Sequence, residues 1–215
     1  MGFVVPDITV IAGFALASLV LAITPGPDMA LFISRTVNYG RAHGVAAVLG
    51  ATSGLVVHIS LAAFGLSLLL ANAPTAFFAL KIAGAAYLLF LAYQALRENG
   101  GLSLSRKAVR APSVLQSYLT GVGINLTNPK VVLFFVTFLP QFVSRTDPHA
   151  AEKLLFLGAE FLVLSVPIVI GIVLAAEWVA SVILNSARVR RGVNISFAAV
   201  FAGFAAAILL VETRR

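Results

Sequence analysis

Apolar residues occur along this chain in six long runs, separated by shorter segments that hold most of the charged residues. Because a helix needs roughly 20 apolar residues to cross a bilayer, these runs predict six transmembrane helices. Long continuous runs, in place of alternating segments of about ten residues, favour a helical bundle over a β-barrel. The predicted helices are 8–34, 44–70, 74–96, 114–143, 154–180 and 193–211.

Proline interrupts two of these predicted helices. The first interruption reads Thr24, Pro25, Gly26, Pro27, Asp28, and the second reads Asn125, Leu126, Thr127, Asn128, Pro129, Lys130. Proline removes a backbone donor, and a bilayer offers no water to replace the lost hydrogen bond. Each break therefore needs a protein partner or a water-filled cavity. Paired breaks at corresponding places in two halves of a membrane chain point to the central site of a transporter.

The two broken helices divide the chain into halves. Each is the first of three helices, which predicts one unit over 1–98 and another over 114–215, joined by a cytoplasmic linker over 99–113. Because three is odd, the two units would enter the membrane from opposite sides, as an inverted repeat. Together they form one transmembrane domain, so the predicted fold is an all-α, six-helix integral membrane protein.

Composition supports this fold class. The chain of 215 residues is 60% hydrophobic and 11% charged, with a mean hydropathy of +1.01, outside the soluble globular range. Its net charge of +7 indicates orientation rather than nucleic-acid binding, since basic residues mark cytoplasmic loops. They concentrate in the first, third and fifth connections, which predicts both termini outside. No signal-peptide pattern precedes the first run, so we expect that run to remain as a span.

Asp28 and Lys130 are the leading candidates for chemistry. A charge inside a span costs several kcal/mol unless it faces a cavity or a partner. The structural alternatives are a helix cap for Asp28, and for Lys130 an ion pair with Asp28 or Glu160. A carboxylate and an ammonium in one site also offer both charges that a zwitterion requires. The freed backbone around Pro25, Gly26 and Pro129 would complete such a site.

Other polar residues in the spans leave alternatives open. Asn125, Thr127 and Asn128 either cap the second break or contact substrate, and Lys81 either snorkels to the interface or joins the site. Glu160 is a candidate proton carrier, whereas His58 is expected to hydrogen-bond a neighbouring carbonyl.

Enzyme and metal motifs are missing from the sequence. It contains no nucleophile elbow, no zinc-protease helix and no phosphate loop. Without cysteine, and with three scattered histidines, a metal site is not expected. No cofactor is implied.

Small residues recur at close spacing in three of the predicted helices. They are Ala46, Gly50 and Gly54, then Gly84, and then Gly203. Such residues let a neighbouring helix backbone approach closely, either within one chain or in a dimer.

Several motifs together resemble the LysE/RhtB family of bacterial amino acid efflux permeases. They are Thr24 to Asp28, Gly40 to Gly44, Lys81 to Leu91, Gly121 to Lys130 and Phe138 to Phe142. The resemblance implies a six-helix exporter of the bacterial inner membrane, coupled to the proton gradient, and it leaves a homodimer open. It places the site at Thr24 to Asp28 and Asn128 to Lys130. Glu160 is not part of this pattern.

The sequence thus predicts a secondary transporter that exports an amino acid or small zwitterion by proton antiport. Asp28 would bind the ammonium and Lys130 the carboxylate. Two other classes stay open: a membrane scaffold or assembly protein, and an ion or metal carrier that uses Asp28 and Glu160.

Overall fold

The computed structural model describes residues 5–24, 26–66, 74–97, 111–144 and 147–210. Within these ranges the chain is helical and contains no strand, which confirms the all-α class. The helices are α1 Ile8–Ile23, α2 Pro27–Tyr39, α3 Arg41–Ser60, α4 Pro74–Arg97, α5 Val114–Thr127, α6 Pro129–Leu133, α7 Ala150–Leu174, α8 Ala176–Asn185 and α9 Ala187–Leu210. A π-helical segment, Leu61–Leu66, continues α3, and α6 continues through a π-helical segment, Phe134–Phe138, and a 3-10 turn, Leu139–Phe142.

Both predicted breaks are present. Helices α1 and α2 meet at 49°, and α5 meets the segment 129–142 at 50°. If each bent pair is one crossing, the described residues hold five segments long and apolar enough to span a membrane, three of them unbroken. In α4 the apolar stretch among those residues, Ile82–Gln94, is shorter than a span. The predicted total of six crossings therefore stays a prediction.

Several helix ends differ from the predicted ones, because arginines lie inside helices and not between them. Helix α2 extends past the predicted end to include Arg35, and α9 begins at Ala187, before Arg188 and Arg191. Apolar runs mark only the lipid-buried part of a helix, whereas arginine is a good helix former that extends the helix into the interface. Only Gly40 separates α2 from α3, and its φ of +92° explains the glycine there.

The predicted fifth helix also differs, since it divides into α7 and α8 at Ala175.

Asp147 stabilises the start of α7. It accepts hydrogen bonds from the Lys153 Nζ at 2.5 Å and the His149 backbone N–H at 2.9 Å. The Lys153 hydrogen bond is the main reason that the pKa of Asp147 is below its usual value. The stabilisation from this contact is present above the ordinary pKa of aspartate and is lost as pH falls through the lowered one.

Glycines allow α3 and α5 to touch backbone to backbone. A Cβ on Gly50 would overlap the Tyr118 carbonyl, and a Cβ on Gly121 would overlap the Ala47 carbonyl. The predicted small-residue packing is therefore confirmed for α3, within one chain. In α4, a Cβ on Gly84 would lie 2.5 Å from the Thr137 Cγ2. No described atom lies within 4 Å of the equivalent position at Gly203, so close packing there is not seen in this chain.

Aromatic residues fill the core on one side of the breaks. Seven phenylalanines contact one another with ring centroids 4.6–5.8 Å apart; they are Phe14, Phe134, Phe135, Phe138, Phe142, Phe161 and Phe204. This phenylalanine cluster joins α1, the 134–142 segment, α7 and α9. On the other side, α2, α3 and α7 pack through a smaller apolar group that includes Phe32, Val48 and Val173.

We expect Gly121→Ala to destabilise the protein, because the new methyl group must force α3 and α5 apart. Overpacking of this kind costs about 1–3 kcal/mol. Thermal unfolding of the detergent-purified protein, followed by size-exclusion chromatography, measures the effect. Gly123→Ala is the matched control on the same helix, since nothing described lies within 4 Å of its added Cβ. Equal unfolding temperatures for the two variants would contradict the backbone contact.

Candidate functional site

The two helix breaks meet in the interior of the protein. Pro27 and Pro129 are the first residues of α2 and α6, where the missing backbone N–H costs nothing. Before the first break, the Thr24 hydroxyl donates back to the Val20 carbonyl at 2.5 Å. At the second, the Asn128 side chain caps α6 by accepting from the Lys130 backbone N–H at 3.0 Å. Each break is thus an ordered helix end followed by an ordered helix start.

Each break sends a charged side chain to the other break. Asp28, in the first turn of α2, accepts a hydrogen bond from the Asn125 Nδ2 at 3.0 Å, near the end of α5. Lys130, in the first turn of α6, donates its Nζ to the Thr24 carbonyl at 2.8 Å and the Leu21 carbonyl at 3.2 Å. The Thr24 carbonyl, at the C-cap of α1, lies beyond the last helical hydrogen bond, whereas the Leu21 carbonyl also accepts the Thr24 backbone N–H at 3.3 Å. Carbonyls at a helix C-terminus carry partial negative charge. The two halves of the chain are therefore braced crosswise.

The predicted alternative of an ion pair for Lys130 is not formed in this structure. Among the described residues, no carboxylate oxygen lies within 4.0 Å of the Lys130 Nζ. The break in α1 supplies two acceptors directly beside the ammonium, and these take the place of a carboxylate. The alternative role of Asp28 as a helix cap is also not seen, because Gly26 is the N-cap of α2.

A cavity lies at this crossing, with an empty volume of about 570 Å³ counted to its open mouth. Asp28, Lys130, Asn125 and Thr24 form its polar end. The remaining wall is mostly apolar and comes from α1, α2, α3, α6 and α7: Leu21, Ala22, Met29, Phe32, Val48, Ala51, Thr52, Leu55, Val131, Phe161, Ser165, Val166 and Val169. The cavity is therefore suited to a small ligand with a charged end and an apolar end.

Three buried polar atoms at the crossing have no hydrogen-bond partner in the part of the chain that is described. They are the acceptors Asp28 Oδ1 and Asn125 Oδ1 and the donor Asn128 Nδ2. Leaving such an atom unpaired costs about 1–3 kcal/mol. Since Asn125 and Asn128 are each only 1% exposed, these atoms provide free acceptors and a free donor for a polar ligand.

The other predicted site residues fall in different places. Gly26 lies against Lys130, because the position of its absent Cβ is 3.4 Å from the lysine Nζ. Pro25 is outside the described residues, and so is the side chain of Lys81; no described residue of its helix, α4, lines the cavity. Glu160 is half-buried with an unpartnered Oε2, but it does not line the cavity. Thr127 is exposed and bonds its own helix at the Gly123 carbonyl.

His58 takes the role expected from its lone position on an apolar helix. Its Nε2 lies 3.3 Å from the Asn125 carbonyl, and its ring stacks on Phe135. His58 thus supports the end of α5 from behind the cavity. In addition, a Cβ on Gly54 would lie 2.6 Å from the Asn125 Oδ1, so the side chain of Asn125 fits against a glycine.

Sequence reasoning missed the walls contributed by α2, α3 and α7. Phe161, Ser165 and Val169 follow one another at four-residue spacing, which places them on one face of α7. That spacing indicates a shared helix face, but an apolar run does not show which of its faces lines a cavity. Within the described ranges, no three histidine or acidic side chains gather where they could hold a metal ion.

Comparison with known proteins identifies the family. The chain matches the LysE type translocator family over residues 19–212. It is 31% identical to the homoserine/homoserine lactone efflux protein of Salmonella typhimurium over 188 residues, covering 87% of this chain and 90% of that protein. The leucine efflux protein of the same species is 25% identical over 203 residues, covering 93% and 94%.

An uncharacterized membrane protein of Vibrio cholerae is also similar, with 31% identity over 204 residues, 92% of this chain and 95% of that protein. No solved structure is significantly similar to the chain. The family match covers nearly the whole chain, and it includes both helix breaks and the cavity between them. The chain is therefore a membrane transport protein, not an enzyme, and it belongs to the LysE type translocator family.

Proposed function

We propose that the protein exports an amino acid across the bacterial inner membrane by proton antiport. The observation that carries this proposal is the pairing of a carboxylate and an ammonium in one cavity that otherwise has apolar walls. One similar protein is named for the efflux of homoserine and homoserine lactone, and another for the efflux of leucine. Homoserine and leucine are zwitterions with short side chains, which agrees with the polar and apolar ends of the cavity, whereas the lactone has an amine without a carboxylate.

The free polar atoms match the two charges of a zwitterion. A substrate ammonium would be accepted by Asp28 Oδ1 and Asn125 Oδ1, and a substrate carboxylate would accept from Lys130, which lines the same end. Asn128, whose Nδ2 is also unpartnered, does not line the cavity. Charge-assisted hydrogen bonds are about twice as strong as neutral ones. The side chain would then contact the apolar wall that includes Met29 and Phe161. Thr24 lines the same end, and its carbonyl accepts a hydrogen bond from the Lys130 Nζ. Gly26 leaves room beside that Nζ, because the position of its absent Cβ is 3.4 Å away.

Asp28 also provides a route to proton coupling. Its carboxylate can hold a proton or a substrate ammonium, but not both at once. Exchange of one for the other on opposite sides of the membrane is antiport, since each occupant binds only after the other has left. Glu160 is the second candidate carrier. It does not line the cavity, so it would have to affect substrate binding without contacting the substrate.

The orientation follows from the charge distribution. We propose two inverted three-helix units, 1–98 and 114–215, joined by the cytoplasmic linker 99–113, with both termini outside. The outward direction of transport rests on the names of the similar efflux proteins, because an inverted repeat permits either direction.

The alternative classes receive less support from the geometry. An ion carrier that uses Asp28 and Glu160 together would need both in one cavity, and Glu160 does not line it. A scaffold would gain nothing from unpartnered buried polar atoms, which only destabilise a protein that binds no ligand.

We expect Asp28→Asn and Lys130→Met each to reduce efflux at least about 30-fold, because each leaves one charge of the bound zwitterion unpaired. Cells are preloaded with labelled leucine, homoserine or other amino acids, and loss of label is followed at matched membrane abundance. The controls are Asp7→Asn, since Asp7 makes no side-chain cap hydrogen bond before α1, and Lys153→Met. Wild-type efflux of no amino acid would refute the proposed function.

We expect Glu160→Gln to keep efflux driven by a pH gradient, because the proposed proton exchange takes place on Asp28. Reconstituted vesicles with and without an imposed gradient measure this. If the variant lost gradient-driven transport but still exchanged amino acid in the absence of a gradient, Glu160 would be the coupling residue instead.

The orientation can be measured with single cysteines, because the natural chain contains none. We expect a membrane-impermeant maleimide to label Asp7→Cys in intact spheroplasts. Arg188→Cys, at the start of α9, should react only after the membrane is permeabilised. The reverse pattern would show that the termini are cytoplasmic.

A further inference from the structure

The position of the Lys130 ammonium is unusual for a buried cation. The residue is 8% exposed, yet within the described residues its Nζ donates hydrogen bonds to backbone oxygens alone, the Thr24 carbonyl at 2.8 Å and the Leu21 carbonyl at 3.2 Å. Both carbonyls lie at the end of α1, where the helix dipole makes them partly negative. The Leu21 carbonyl also accepts the Thr24 backbone N–H at 3.3 Å, so the Thr24 carbonyl is the acceptor that depends most on Lys130. The first break has therefore formed a small cation site, and a lysine from the second break occupies it.

This cation site matches the ammonium group of an amino acid. A substrate ammonium carries the same charge and the same three N–H donors as the lysine. The Thr24 residue and Asp28, whose Oδ1 is unpartnered, line the same cavity. A ligand ammonium at the end of α1 could therefore bind the carbonyls that Lys130 now holds and the free carboxylate oxygen as well.

We propose that Lys130 is a latch that a zwitterion releases: the substrate carboxylate draws the lysine off the end of α1, and the substrate ammonium replaces it there. This inference rests on the proposed function and deepens it, since it defines the chemical class that the site accepts. Each bond that the substrate breaks is replaced by an equivalent bond. Release also disconnects α6 from α1, and so it removes half of the crosswise brace.

Ligands with one charge cannot complete this exchange. An amine without a carboxylate would place a second cation beside Lys130 in a site of low dielectric, where like charges repel strongly. A carboxylate without an ammonium could attract Lys130, but it would leave the Thr24 carbonyl and the Asp28 Oδ1 without a donor. Buried acceptors left in this way oppose binding.

Competition binding to the purified full-length protein in detergent tests the latch. Labelled leucine and labelled homoserine are the probes. For leucine, the competitors are leucine, leucinamide, which lacks the carboxylate, and 4-methylpentanoate, which lacks the ammonium; homoserine is paired with its amide. We expect each single-charge analogue to compete at least about 30-fold more weakly than the amino acid.

The variant Lys130→Met tests whether the lysine occupies the position that the substrate ammonium takes. The latch predicts weaker binding of the amino acid, because the substrate carboxylate loses its partner. It also predicts that the amide binds the variant at least tenfold more tightly than the wild type, because the cation site at the end of α1 is then open and no second cation lies beside it. Lys153→Met, which removes a lysine bonded to Asp147, is the control and should leave both affinities unchanged.

Each result decides the proposal. An amide that competes with wild type as well as the amino acid does would overturn the latch, while efflux of amino acids would keep the proposed function. An amide affinity in Lys130→Met equal to that of wild type would also overturn it. If the variant does not fold, as judged by size-exclusion chromatography, the wild-type comparison alone decides. If wild type neither binds nor exports any amino acid tested, the proposed function and the latch fail together.

Discussion

Backbone groups freed inside a membrane must find partners within the protein, and this constraint governs the structure. Proline breaks two of the spanning helices, and a residue from each break hydrogen-bonds the backbone or side chains at the other. Lys130 from the second break satisfies the end of α1, and Asp28 from the first is held by Asn125 at the end of α5. Glycines make this crossing possible, because α3 and α5 approach so closely that Gly54 touches Asn125 directly. The same contacts that stabilise the breaks therefore place two opposite charges in one cavity.

The packing differs between the two sides of the crossing. On one side, the phenylalanine cluster packs Phe14 of α1 against rings of the 134–142 segment and of α7. The segment that carries four of these rings, 134–142, is π-helical and then 3-10, and it follows directly after Lys130 and α6. Such segments hold poorer hydrogen-bond geometry than an α-helix and are common at functional sites. Only a few residues of chain therefore separate Lys130 from the phenylalanine cluster.

The sequence alone predicted the features that depend on composition and local chemistry. The all-α class, both proline breaks, the close packing at Gly50 and the carbonyl partner of His58 are confirmed. Helix ends were predicted less well, because arginine continues a helix beyond the apolar run. The partner of Lys130 was not predicted, since a carbonyl at a helix end has no sequence signature that separates it from a carboxylate. Ser165 and Phe161 were missed for a related reason: which face of α7 meets the cavity is decided by tertiary packing.

The central claim is that the two crossed breaks form the substrate site. An experimental structure of the full-length protein with its exported amino acid bound tests this most directly. We expect the ligand in the cavity lined by α1, α2, α3, α6, α7 and Asn125 of α5, with its ammonium at Asp28 and its carboxylate within hydrogen-bond distance of the Lys130 Nζ. An amino acid bound elsewhere, with Lys130 still on the Leu21 and Thr24 carbonyls and Asp28 still bonded only to Asn125, would contradict it.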